Sequence, residues 1–278
     1  VQTALDAAEI AARRDALLHR LGEALTLENA QMRFAVSKQT GSFLLYDLAT
    51  GVVWSSGVQT NGVGTASYQH GDQQHTLVLT APDAAELENG KIHLNWTRSC
   101  GSFDVYFEQL PDGNGISASY TAAPADGWTL TSVTPLDHAL WTLDTENGYA
   151  AVPESIGKLY YADGSEQFNK VYQTYGNYSM AFAGAVKDGS AMLIDWTDPD
   201  TALNVHHSRI DSPYAGGSDQ LSFSLSMTQR SGAFQMRVLG KGGYVQIAKA
   251  YRAAASARGL VRTFAQKAQE NPDVAKLY

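Results

Sequence analysis

Phe103-Asp104-Val105-Tyr106-Phe107-Glu108-Gln109-Leu110, followed by Pro111-Asp112-Gly113-Asn114-Gly115 and then Ile116-Ser117-Ala118-Ser119-Tyr120, is the stretch that decides the fold. Phe103, Val105 and Phe107 alternate with Asp104, Tyr106 and Glu108, the two-residue period of a strand with one buried face. The residues between the two runs are Pro, Asp, Asn and Gly, the types that close a hairpin. The same cadence runs outward in both directions. Upstream, Met32, Phe34 and Val36 alternate, residues 39–42 turn, residues 43–46 return, residues 49–51 turn again and residues 52–54 make another strand. Further strands are expected at 76–80, 92–96, 129–133, 149–152, 181–186, 191–195, 221–227 and 235–239. An immunoglobulin-like sandwich has about seven strands. A dozen or so short antiparallel segments therefore predict two large stacked sheets, from Leu25 to Leu239.

Helical patterns flank this body. Residues 1–24 are rich in Ala, Leu, Arg and Glu, and Leu5, Ala8, Ile10, Ala12, Leu17, Leu18 and Leu21 make an apolar stripe before Gly22. From residue 240 to 278 the sequence again reads as helix. Tyr244, Ile247, Ala248, Tyr251 and Ala255 follow the spacing of one helical face, which predicts that this stripe docks on a sheet while Lys249, Arg252 and Arg258 lie outside it. Gly259 stands where that helix should end, and a second run through Leu260, Val261, Phe264 and Ala268 is interrupted at Asn271-Pro272. Helices after a completed β domain usually connect it to something else. Residues 240–278 accordingly read as a linker toward a domain that is absent from this sequence.

Composition narrows the function. Of the 278 residues 44% are apolar and 17% charged, a globular balance, and no apolar run is long enough for a membrane-spanning helix. The net charge of -8 is uneven: Lys241 to Tyr278 holds seven Lys and Arg against two Asp and Glu. An acidic body argues against nucleic-acid binding, which depends on clustered Lys and Arg. The basic tail suits an acidic protein surface instead. Cys100 is the single cysteine, so no intrachain disulfide forms. The sequence begins at Val1 without a charged-then-apolar leader, a start that signal-peptide removal would leave, so a secreted or periplasmic location is expected.

Trp196 lies between Asp195 and Asp198, with Asp200 beyond, where Pro199 must end a strand. An indole beside carboxylates suits sugar recognition, since C–H faces stack on the ring and hydroxyls donate to the acids. A strand-end loop with solvated acids fits the same residues. The Asp spacing lacks the glycine and distal glutamate of a calcium loop, so no metal is expected. Tyr160, Tyr161, Tyr172, Tyr175 and Tyr178 form a dense region that could line a sugar cleft or pack a sheet. His206 and His207 are adjacent, so on a strand they face opposite sides. There is no G-x-S-x-G elbow, phosphate loop, H-E-x-x-H or cysteine cluster, and no cofactor is expected.

Three segments carry a resemblance. Asp47-Leu48-Ala49-Thr50-Gly51-Val52-Val53-Trp54-Ser55-Ser56 has the pattern D-x-x-[ST]-G-x-x-W-x-[ST]. Gly148-Tyr149-Ala150-Ala151-Val152-Pro153-Glu154-Ser155-Ile156-Gly157-Lys158-Leu159 precedes a Tyr-rich stretch and then Ala191-Met192-Leu193-Ile194-Asp195-Trp196-Thr197-Asp198-Pro199. The third is the helical segment from Gly243-Tyr244 to Gly259-Leu260. In this order, across most of the chain, they resemble the β-sandwich domain of endo-α-N-acetylgalactosaminidase-like bacterial glycoside hydrolases. The resemblance implies a mainly β fold, a galactose mutarotase-like supersandwich, followed by a helix and then a catalytic (β/α)8 barrel. In that family the catalytic carboxylates belong to the barrel, so no residue here inherits a catalytic role.

The resemblance thus implies a non-catalytic module that supports a barrel in cis or on a separate chain and helps shape its sugar cleft. A stand-alone carbohydrate-binding sandwich and a small aldose-epimerase-like enzyme are the alternatives. Epimerase-like sandwiches use a histidine acid with a carboxylate base, a role open to His206 with Glu154 or Asp195 where the fold brings them close. The expected substrate-binding set is Trp196, Asp195, Asp198, His206, Tyr175, Tyr178 and Glu154.

Overall fold

The computed structural model describes residues 12, 15–17, 19, 21–56, 62–173, 176–210 and 218–277. Its strands are β1 (Ala24–Glu28), β2 (Met32–Ser37), β3 (Phe43–Asp47), β4 (Val53–Ser55), β5 (Thr65–His70), β6 (Gln73–Val78), β7 (Ala84–Glu88), β8 (Lys91–Arg98), β9 (Gly101–Gln109), β10 (Gly115–Pro124), β11 (Thr129–Leu143), β12 (Tyr149–Val152), β13 (Lys158–Tyr161), β14 (Phe168–Tyr172), β15 (Phe182–Lys187), β16 (Ser190–Trp196), β17 (Ala202–Ile210), β18 (Ser218–Met227) and β19 (Ser231–Lys241). Two helices follow, α1 (Tyr244–Ala257) and α2 (Phe264–Glu270). The 103–120 stretch forms the hairpin its turn residues demand. Ile116 pairs with Gln109 at one end of β9–β10 and Pro124 with Gly101 at the other. Gly113 takes a φ of +74° in the turn, where a side chain would be strained.

Every strand pair is antiparallel. The nine-stranded sheet runs β13-β12-β15-β16-β19-β10-β9-β8-β7, and the six-stranded sheet runs β14-β17-β18-β11-β5-β6. The chain is thus the mainly β supersandwich with flanking helices that the sequence implies. One feature adds to the expected pair of sheets: β1-β2-β3-β4 forms a third, four-stranded sheet. All three share one core, with Trp96, Phe103 and Phe107 from the nine-stranded sheet, Leu203, Phe223 and Leu225 from the six-stranded one, and Phe34, Phe43 and Trp54 from the small one. Each large apolar side chain so buried contributes about 1.5–3 kcal/mol.

The Asp47-to-Trp54 pattern has a structural explanation. Asp47 Oδ1 accepts from Ala49 N–H at 3.0 Å to shape the turn, and Oδ2 accepts from Ser190 Oγ at 2.9 Å, which ties the small sheet to β16. Trp54 is buried, with the Lys187 ammonium 5.0 Å from its ring centre.

The described residues between 12 and 21 are helical, and Leu17 and Leu21 pack on Ala35, Leu44 and Val53. Leu5, Ala8, Ile10 and Leu18 of the expected stripe lie outside the described residues. At the other end α1 docks on the outer face of the nine-stranded sheet, but with its contact face rotated from the expected one. Ile247 and Ala255 are buried and Tyr251 stacks on Phe182 with ring centres 4.4 Å apart, whereas Tyr244 is 55% exposed and Ala248 is exposed too. The cause lies in the sheet. Gly184 leaves the room that Ile247 fills, since a Cβ there would stand 2.5 Å from Ile247 Cγ2. With Ile247 fixed, Arg258 turns inward instead of outward. Gly259 ends the helix as expected, with φ +72° and Leu260 N–H bonded to Ala255 O at 2.9 Å.

Candidate functional site

The expected Trp196 site comes apart on strand geometry. Asp195 and Trp196 are neighbours on β16, so alternation sends them to opposite faces. Trp196 points into the core at 2% exposure, edge-on to Tyr178, and offers no face on which a sugar could stack. Asp195 points outward under α1 at 0% exposure, where Arg258 Nη2 stands 2.6 Å and Arg237 Nε 3.7 Å from its oxygens. Burial pushes its carboxyl up against the opposing pull of both arginines. Asp198 lies in the following loop and accepts from Asp200 N–H at 2.9 Å. Tyr178 is buried and donates to Thr201 O at 2.8 Å. Tyr175 lies outside the described residues.

Glu154 belongs to a second cluster. Tyr160 on β13 and Tyr172 on β14 come from the edges of the two large sheets, and both hydroxyls contact Glu154 Oε2, at 2.8 and 2.9 Å. The hydroxyls are 2.7 Å apart, and Lys170 Nζ donates to Tyr160 at 3.2 Å. Tyrosine donation, led by Tyr160, holds the Glu154 carboxyl below its usual range. Burial pushes Tyr172 up. This network stitches two sheet edges together, and its carboxylate is committed to the tyrosines.

His206 joins neither Glu154 nor Asp195. It lies on β17, on the outer face of the six-stranded sheet, while His207 faces inward and its Nε2 meets Ala162 O at 2.9 Å. The partners of His206 come from β11 and β18. Ser224 Oγ donates to Asp137 Oδ1 at 2.8 Å, accepts from His138 N–H at 2.9 Å and meets His206 Nε2 at 2.9 Å. Because the hydroxyl proton goes to the carboxylate, His206 must donate from Nε2, and this network assigns the tautomer with a bare Nδ1. The His138 ring stacks on His206 with centres 3.9 Å apart. Burial first, and then the neighbouring His138, bring the His206 pKa down to about 4 against the opposing pull of Asp137, so the ring is neutral near pH 7.

Backbone distortion concentrates at the same place. His138 and Leu140 take positive φ of 45° and 54°, and the pairing of β11 with β18 shifts register between Val133 and Leu136, Leu136 and Ala139, and Ala139 and Thr142. Bulges of this kind are over-represented beside functional sites. Of this cluster only His206 was expected. Asp137, His138 and Ser224 were missed, although one signal was available: Leu221-Ser222-Phe223-Ser224-Leu225-Ser226-Met227 alternates so strictly that one strand face must be all serine.

No protein-family profile matches the chain, and no curated protein matches it by sequence. Among solved structures, the α-N-acetylgalactosaminidase NagBb from Bifidobacterium bifidum in its GalNAc complex aligns over 91% of this chain with a TM-score of 0.72 at 12% identity. Its Gal-NHAc-DNJ complex gives 0.70 at 13% identity over 89%, and its ligand-free form 0.68 at 14% over 89%. The alignments cover 42%, 41% and 41% of the NagBb chain, so this chain spans about two fifths of that length. At such identity the likeness shows a shared fold, the fold of one part of a glycoside hydrolase chain.

Proposed function

We propose that the chain is the non-catalytic supersandwich module of a glycoside hydrolase, with residues 25–239 as its body, 1–24 and 240–278 as helical flanks, and a (β/α)8 catalytic barrel beyond α1 as its partner. The observation that carries this reading is an apolar seam along the C-terminal segment. Tyr244, Val245, Leu260 at 64%, Val261 and Phe264 are exposed, and α2 buries none of its residues. At the start of α1 Tyr244 borders a groove of about 580 Å³ lined also by Pro153, Ile156, Met180, Phe182 and Ala248. An apolar groove with exposed apolar side chains along the segment that borders it is the surface a partner would cover. The Asp195–Arg258 pair holds α1, and with it the start of the seam, in one orientation on the sheet.

Catalysis within this chain is not part of the reading. A glycosidase needs two carboxyl groups about 5–10 Å apart around one bond. Glu154, Asp195 and Asp137 sit in three separate clusters, each engaged by its own partners. Purified chain should leave aryl α-N-acetylgalactosaminides intact, and steady turnover abolished by replacing one of its Asp or Glu residues would overturn the reading. Hydrogen exchange tests the seam. Amides 260–277 should exchange fast in this chain and be protected in the full-length product of its gene, and equal rates in both would also overturn it.

A further inference from the structure

We infer that the outer face of the six-stranded sheet around Asp137, His138, His206 and Ser224 is a binding site for a neutral, hydroxyl-rich ligand of the sugar class. It lies on the opposite side of the sandwich from α1, and it stands whether or not the C-terminal seam docks a barrel.

The first ground is unmet hydrogen bonding. Ser222 Oγ and Gln220 Oε1 are buried on the strand that carries Ser224, at positions two and four residues away and hence on the same face, and neither has a hydrogen-bond partner among the described residues. A buried orphan of this kind is unfavourable, so two on one face point to a partner that arrives from outside. The second ground is independent. The two positive-φ residues of β11 and its stepped register lie against this stretch of β18, and backbone of this sort persists only where the surrounding structure enforces it. The surrounding structure thus holds Asp137 and His138 in place.

The chemistry of the face selects the ligand. The outward residues of β17 are Asn204, His206 and Ser208, and those nearest on β18 are Ser222, Ser224 and Ser226. Asp137 is the one carboxylate of β11, and among the described residues no Lys or Arg lies on the outward positions of β11, β17 or β18 named here, so an anion would find no counter-charge on them. Among the described residues no three His, Cys, Asp or Glu side chains group to hold a metal ion. What remains is a set of neutral donors and acceptors with one carboxylate. A ligand hydroxyl satisfies such a set because it donates and accepts at the same atom. Ser224 already fixes Asp137 and His206 through its three contacts, so little ordering is left to occur on binding.

The test is an NMR titration of the chain with D-galactose and N-acetyl-D-galactosamine, with sodium phosphate and calcium chloride as ionic probes. The sugars should shift amides in 136–140, 204–208 and 222–226 and leave those of α1 unmoved. Asp137→Asn and Ser222→Ala should each weaken the sugar by about five- to tenfold, the worth of one hydrogen bond. Ser222→Ala removes an unmet hydroxyl and should fold with a Tm no lower than wild type, so it decides the matter even where Asp137→Asn fails to fold. No shift on this face, wild-type affinity in a folded variant, or the same shifts from phosphate or calcium at lower concentration would each overturn the inference. None of these results bears on the exchange experiment at residues 260–277, so the two readings fail separately.

Discussion

The two outer faces of the sandwich obey one alternation rule and end up opposite in kind. On the nine-stranded sheet the outward residues Phe182, Val186, Ala191 and Leu193 are apolar, α1 covers them, and the one carboxylate among them, Asp195, is met by two arginines. On the six-stranded sheet the outward residues of β17 and β18 are hydroxyls, amides and an imidazole that bond to one another and leave some atoms unmet. Strand period decides which residues point out. The chemistry of the outward set then decides whether the chain covers that face itself or holds it for something else.

The largest expected effect attacks the covered face. Arg258→Ala strips the nearer partner from a fully buried carboxylate, which should cost about 3 kcal/mol and lower Tm by roughly 6–12 °C. Asp195→Ala in the same background should restore part of it. A Tm unchanged by Arg258→Ala would mean that the pair does not hold α1. Next, Ile247→Ala empties the space above Gly184 and should cost about 2–3 kcal/mol in denaturant unfolding, with Tyr244→Ala nearly silent because its ring is exposed. Equal effects would restore the originally expected stripe.

The third prediction separates the faces by pH. The folded-state pKa of His206 is depressed from 6.5 to about 4, so the unfolded chain binds the proton first. Its contribution is fully present above pH 6.5 and is lost as pH falls toward 4, by about 1–2 kcal/mol after solvent screening. Asp195 works with the opposite sign, because its raised carboxyl lowers stability as pH rises above 3.8. Urea midpoints of His206→Asn across this range should show a flatter acid limb than wild type, and an identical limb would remove His206 as the titrating group. The smallest effect belongs to the rim of the polar face. Ser226 Oγ meets Thr134 and Asn204 at 3.3 and 3.4 Å, both long contacts, and Ser226→Ala should move stability by no more than about 0.5 kcal/mol.

Much of the fold could be read in the sequence where local rules suffice. Turn residues defined the β9–β10 hairpin, Gly259 the end of α1, and adjacency the opposite faces of His206 and His207. The gathering of β1–β4 into a separate sheet could not be read, because it depends on which distant strands pair, as when Ser190 bonds Asp47. Strands β1, β5, β7, β13, β14 and β17 went unassigned for a related reason: their apolar runs are short and broken by polar residues. The candidate site was legible only in part. Proximity in sequence suggested Trp196 with Asp195, yet the same alternation that located β16 sets the two apart. Asp137, His138 and Ser224 meet across separations of 86 and 87 residues, which no local pattern announces.

Strand β11 hides in the sequence for a reason of its own. From Val133 to Thr142 it advances nine residues while β18, from Met227 to Leu221, advances six. Its core contacts Val133, Leu136 and Ala139 therefore recur every third residue, a period that matches neither strand nor helix, and the expected strand stopped at 133. The surplus also has a genetic meaning. An in-frame loss of one codon between 137 and 140 would remove one step of the mismatch and bring the strand nearer to a regular ladder. It would also turn whichever side chains remained toward the wrong side of the sheet. Ordinary loops shed or gain a codon freely, but here the reading frame of the strand is itself part of the architecture, and length variation should be as damaging as a polar residue placed in the core.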